Sequence, residues 1–320
     1  MNGLSSVATR VWLAFVVVAL LLLEVVDLAV WGVVVPVAAL FLLATAPVVR
    51  PSGNGGRVDH RDLAVVGTMY AGIVVLFRIA FVAFGTDAVA GLFLTFAAGL
   101  LLGVVGPVVY TVWLRGRSLS SLGIGGHRLR ETVAIGLLLA GVQFAMTLWA
   151  YDLPAPVDWV PLLAMSLVVG FFEAVFFRGF VQGRLEGSFG TVPGIGAAAV
   201  LYSLYHVGYG MGAGELVFLF GLGVVYATAY RLVENVLVLW PLLTPVGAFF
   251  NNLEAGDIDL PWASIAGFAD VAVVMAVAVW LAHRHERKRA AASSVDDARA
   301  PGRKETATRP GRLAVSRSRS

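Results

Sequence analysis

Apolar runs of about 20 residues, the length needed to cross a bilayer core, recur along the chain. A backbone in hydrocarbon must satisfy its own hydrogen bonds, and a helix does so within one segment. The runs predict an all-α, polytopic membrane bundle of about ten helices, at 9–25, 28–49, 63–84, 88–113, 132–150, 159–181, 192–209, 214–231, 236–253 and 262–282. Only Glu24 and Asp27 divide the first two. Composition agrees: 59% of the 320 residues are hydrophobic and 13% charged, against about 45–50% and about 25% in soluble domains. The 36 glycines fit close helix approach in a membrane. A large soluble domain is excluded.

The opening "MNGLSSVATRVWLAFVVV" has the charge and apolar core of a signal peptide. No small-residue cleavage site follows, and an uncleaved first span is expected. With 0 cysteines there are no disulfides, no thiolate chemistry and no cysteine-ligated zinc. The net charge of +3 is read as orientation information, with no nucleic-acid partner.

Basic residues alternate between loops. Arg50, Arg57 and Arg61 precede the third span, Arg115, Arg117, Arg128 and Arg130 the fifth, and Arg184 and Arg231 fall in later loops on the same side. The intervening loops carry Asp87, Asp152, Asp158, Glu254, Asp257 and Asp259 instead. Cytoplasmic loops collect Lys and Arg, so an integral cell-membrane protein with both termini cytoplasmic is expected. Residues 287–320 lack apolar periodicity and are predicted to be a disordered basic tail able to touch anionic membrane lipids.

Against this background "GFFEAVFFRGFVQG" stands out, because it puts Glu173 and Arg178 inside a span. A central charge costs roughly 2.5–3.5 kcal/mol on insertion scales and marks function when it faces the interior. At 3.6 residues per turn, i and i+5 are about 140° apart, which excludes the favourable i, i+4 pair. Ala174 occupies the i−4 position of Arg178. Arg78 reads as a snorkelling or paired residue, and Arg231 and Glu234 as interfacial residues at a helix end. Downstream, "AVLYSLYHVGYG" places His206 one turn after Tyr202, and "LWPLLTPVGAFFNNLEAGD" places Asn251 and Asn252 near a span end. A lone membrane histidine also serves as a satisfied hydrogen-bonding group, and an Asn pair as a cap.

In order, these segments resemble the CPBP family of intramembrane proteases, the CAAX-protease and bacteriocin-processing group also called Abi. "EAVFFRG" is similar to its Glu-Glu-x-x-x-Arg motif, with Ala174 in place of the second glutamate. "YSLYH" is similar to Phe-x-x-x-His, with Tyr202 for Phe and His206 as the histidine. Trp240, Pro241 and Asn252 align with the third motif, whose histidine position is Ala248 here. The resemblance covers residues 118–255, with membrane helices at 1–117, a last transmembrane helix in 256–286 and the tail at 287–320.

It implies hydrolysis of a peptide bond in a membrane-associated protein or peptide substrate. Glu173 would activate water, His206 would assist, and Asn252 (or Asn251) would stabilise the oxyanion, with Arg178 in the same motif. A metalloprotease-type divalent ion such as zinc would have Glu173 and His206, an incomplete set beside the three protein ligands usual for catalytic zinc. Two other readings stand beside it: an inactive family member acting as a membrane binding or scaffold protein, and a transporter whose polar pathway these residues line. Counting along the spans puts Glu173 near mid-depth and His206 and Asn252 toward outer ends, an offset of about 5–10 Å.

Overall fold

A computed structural model describes residues 58–85, 88–150, 156–255 and 262–299. The expected spans at 9–25 and 28–49 lie outside the described residues, as do the side chains of Asn251 and Asn252. Every regular element among the described residues is helical.

We number the runs α1 (His60–Phe84), α2 (Val89–Leu114) and α3 (Leu129–Ala150). Next come α4, made of Pro156–Glu173, a π-helical stretch Ala174–Gln182 and Gly183–Phe189, and α5 (Thr191–Tyr205). Then follow α6 (Ala213–Val233), α7 (Leu243–Ala255) and α8 (Ser264–Arg299). Among the described residues, 5 helices are long and apolar enough to cross a membrane: α1, α2, α4, α6 and α8. Large apolar side chains point outward from them, Val75 and Val82 on α1 and Val273 and Trp280 on α8. Glu173, Arg178, Gln182 and Arg184 are turned inward and buried. This inversion of the soluble pattern suits a lipid surround.

The ten-span count does not carry over. The expected span at 236–253 is broken: Asn235 caps a 3-10 turn at Val236–Val238, and α7 begins only at Leu243 with 13 residues. Pro241 and Pro245 remove backbone donors there, which blocks one continuous helix. At 1.5 Å per residue α7 and the 15-residue α5 are each about 20 Å long, short of a bilayer core of about 30 Å. Arg184 is not in a loop either. α4 runs on to Phe189, and Arg184 is buried, donating to Thr111 Oγ1 at 2.9 Å. Residues 287–299, expected to be disordered, continue α8.

The basic loops do gather at one end of the bundle. Arg117 donates to Asp62 at 2.7 Å, Arg184 lies 3.7 Å from the same carboxylate, and Arg231 pairs with Glu186 at 3.4 Å. Arg128 donates to the Leu232 carbonyl, and Glu286 on α8 accepts from Leu119 N. Arg78 is at the opposite end, donating to the Val207 carbonyl at 3.2 Å.

α4 and α5 form a tight helical hairpin. Gly190 turns the chain at φ 89°, a conformation that disfavours side chains. A Cβ on Gly194 would lie 2.6 Å from the Glu186 backbone. From this turn back to Glu173 is about 25 Å of helix, and forward to Tyr205 about 22 Å. The short helix therefore returns to the level of the buried acid.

Candidate active site

Glu173 closes the α-helical part of α4, and Arg178 and Gln182 follow in the π-helical stretch. A π turn bonds residue i to i+5 and brings such residues close to one face. This removes the wide angular separation that ordinary helix geometry predicts for Glu173 and Arg178. The two make no direct ion pair. Arg178 instead stacks on Tyr202, with the guanidinium carbon 4.8 Å from the ring centroid. Glu186 and Glu234 pair with Arg231 and leave Arg178 to the Glu173 side.

The carboxylate of Glu173 accepts a hydrogen bond from the Tyr205 hydroxyl. Tyr205 is fully buried among Phe77, Phe172 and Phe177, with ring centroids 6.2, 6.3 and 4.6 Å away. The next residue is His206, whose ring centre is 4.0 Å from that of Tyr205. The depth offset expected between Glu173 and His206 is thus absorbed by the hairpin. His206 Nδ1 lies 2.9 Å from the Tyr202 carbonyl. A carbonyl only accepts, so Nδ1 carries the proton and the neutral ring presents Nε2 as an acceptor.

For the asparagines only the backbone course of α7 is described. Trp240 Nε1 donates to the Leu167 carbonyl at 2.9 Å, and Thr244 Oγ1 to the Gly170 carbonyl at 3.3 Å. Phe249 packs on Trp159 at 5.8 Å. α7 therefore runs antiparallel to α4, away from Glu173. Asn251 and Asn252 sit about 15 Å from it along the helix axes, counting 1.5 Å per residue.

A metal finds few donors. Among the described residues, no group of three or more His, Asp or Glu side chains could hold an ion. Glu173 and His206 remain two ligands, Ala248 supplies none, and the set does not fit a catalytic zinc centre.

Residues 153–243 match the family model for type II CAAX prenyl endopeptidase, Rce1-like. This agrees with a CPBP-type intramembrane protease. The matched stretch contains Glu173, Arg178, Tyr202, Tyr205 and His206 and ends before Ala248 and Asn252. The part of the chain with the Rce1-like match is thus the part that assembles the buried acid and imidazole. Comparison with curated proteins and with solved structures gives no match.

Sequence reasoning missed Tyr205 as the partner of Glu173. The signal was present in "YSLYH", where the second tyrosine directly precedes the histidine. It also missed the buried Asp62, hidden in a short charged segment at the start of α1.

Proposed function

We propose that this chain hydrolyses a peptide bond in a membrane-associated protein or peptide, with Glu173 as the general base. The observation that carries the reading is the hydrogen-bonded contact of Glu173 with Tyr205, next in sequence to His206, inside the Rce1-like segment. Tyr205 holds one carboxylate oxygen, which leaves the other to accept a proton from water. His206 Nε2 accepts the second water hydrogen and orients the attacking oxygen. The carboxylic acid then returns its proton to the leaving amine, the usual alternation of a general base and acid. Oxyanion donation is not assigned to Asn252, because α7 carries it away.

Both termini are assigned to the cytoplasmic side, since the arginine-rich loops share one end of the bundle.

The test is cleavage of reconstituted membrane-peptide substrates by wild type, Glu173→Gln and His206→Ala. Loss in the Glu173 variant with retained fold supports the reading, and equal activity overturns it. A second reading, a non-catalytic binding or scaffold protein, is favoured by one observation: Glu173 and His206 are 8% and 7% exposed, leaving a substrate little access. Binding of the same peptides with no cleavage by wild type would decide for it.

A further inference from the structure

The interior face of α4 carries a polar line that the acid–base pair does not use. Arg178 and Gln182 are 1% and 0% exposed. Both terminal guanidinium nitrogens of Arg178 and the Gln182 Oε1 lack hydrogen-bond partners among the described residues. Donors and acceptor are one turn apart on the same helix. Gln182 Nε2 donates to Glu186 Oε1 at 2.7 Å and to the Ala227 carbonyl at 2.9 Å. Glu186 pairs with Arg231 at 3.4 Å, and Arg231 with Glu234, which is exposed. Inward, Arg178 stacks on Tyr202, whose ring centroid is 5.7 Å from that of Tyr205, the residue that donates to Glu173.

Buried polar atoms rarely go without partners, and a charged one is the costliest to leave unmet. Orphan donors one turn from an orphan acceptor are what ordered internal water satisfies. Peptide hydrolysis also consumes water: its hydroxyl adds to the carbonyl carbon as the C–N bond breaks, and its proton goes to the amine. On the other side Tyr205, which donates to Glu173, is packed among the apolar rings of Phe77, Phe172 and Phe177.

We propose that Glu173, Arg178, Gln182 and Glu186 line a water path leading from the Arg231–Glu234 end of the bundle to the Glu173 carboxylate. The proposal rests on the hydrolase reading for its purpose but is tested without it. The full chain, reconstituted in lipid, is exposed to X-ray pulses that generate hydroxyl radicals from local water, and ring labelling is read by mass spectrometry. Tyr202, beneath Arg178, is compared with Phe176, which is 0% exposed and packs on Phe172, Phe177 and Phe180. After correction for intrinsic ring reactivity, Tyr202 should label several-fold faster. Gln182→Leu should reduce that labelling several-fold and lower kcat with KM unchanged, and Gln182→Glu should keep the labelling. Equal slow labelling of Tyr202 and Phe176 in wild type overturns the path, as does unchanged labelling in a folded Gln182→Leu. If Gln182→Leu fails to fold, the wild-type contrast and Gln182→Glu decide. Fast Tyr202 labelling without peptide cleavage upholds the path and overturns the hydrolase reading.

Discussion

Asp62 and Glu173 are both buried carboxylates near arginine, and they are treated very differently. Asp62 accepts from Tyr110 at 2.6 Å and Arg117 at 2.7 Å, with Arg115 at 3.3 Å and Arg184 at 3.7 Å. It ties α1, α2 and α4 together at the basic end. Glu173 accepts from the Tyr205 hydroxyl, and both terminal guanidinium nitrogens of Arg178 lack hydrogen-bond partners among the described residues. A fully satisfied polar network rigidifies a fold, whereas an under-satisfied group in a low-dielectric interior remains available for other partners. On the proposed reading, Asp62 is the structural acid and Glu173 the chemical one.

Substitution at the two acids gives the sharpest way to break that separation. Glu173→Gln should lower the cleavage rate by about 10²–10⁴-fold, the usual contribution of a general base, with little change in melting temperature. Asp62→Ala should do the opposite: it leaves buried Arg184 without its carboxylate and costs about 3–5 kcal/mol of stability. Unfolding in detergent measures this, and cleavage per folded molecule should be unchanged. If both variants lose stability alike, the distinction fails.

Smaller effects sharpen it. Tyr205→Phe removes a hydrogen bond to a buried acid and should cost about 1.5–3 kcal/mol by the same unfolding measurement, with kcat falling more than KM. Gly194→Ala drives a Cβ onto the Glu186 backbone and should cost about 1–3 kcal/mol by overpacking the α4–α5 hairpin. Thermal unfolding and cleavage should fall together there, because the hairpin aligns Tyr205 with Glu173. The smallest expected effect is none: prolonged chelator dialysis should leave cleavage unchanged, since Glu173 and His206 make too few ligands.

Much of the site was legible because motif spacing survives in the chain. Glu173 and His206 are recognisable from residue type and order, and each is in contact with Tyr205. Arg178 makes no ion pair with Glu173, as their spacing predicts, whereas its stacking on Tyr202 was not legible because that ring comes from another helix. The course of α7 was not legible because nothing local says that it doubles back along α4. Arg184 looked like a loop marker because basic residues usually avoid helix interiors, and its partners Thr111 and Asp62 are distant in sequence.

The sequence by itself determined the solvent and the class of fold. Apolar length and sparse charge are local properties, and in lipid they leave helices as the self-satisfying choice. Tertiary structure alone decided which polar groups meet. That depends on the hydrogen-bonding register of α4, the tight turn at Gly190, and packing between helices far apart in the chain. None of these is written in the hydrophobicity of a single segment, because facing and depth are set by the neighbours against which it packs.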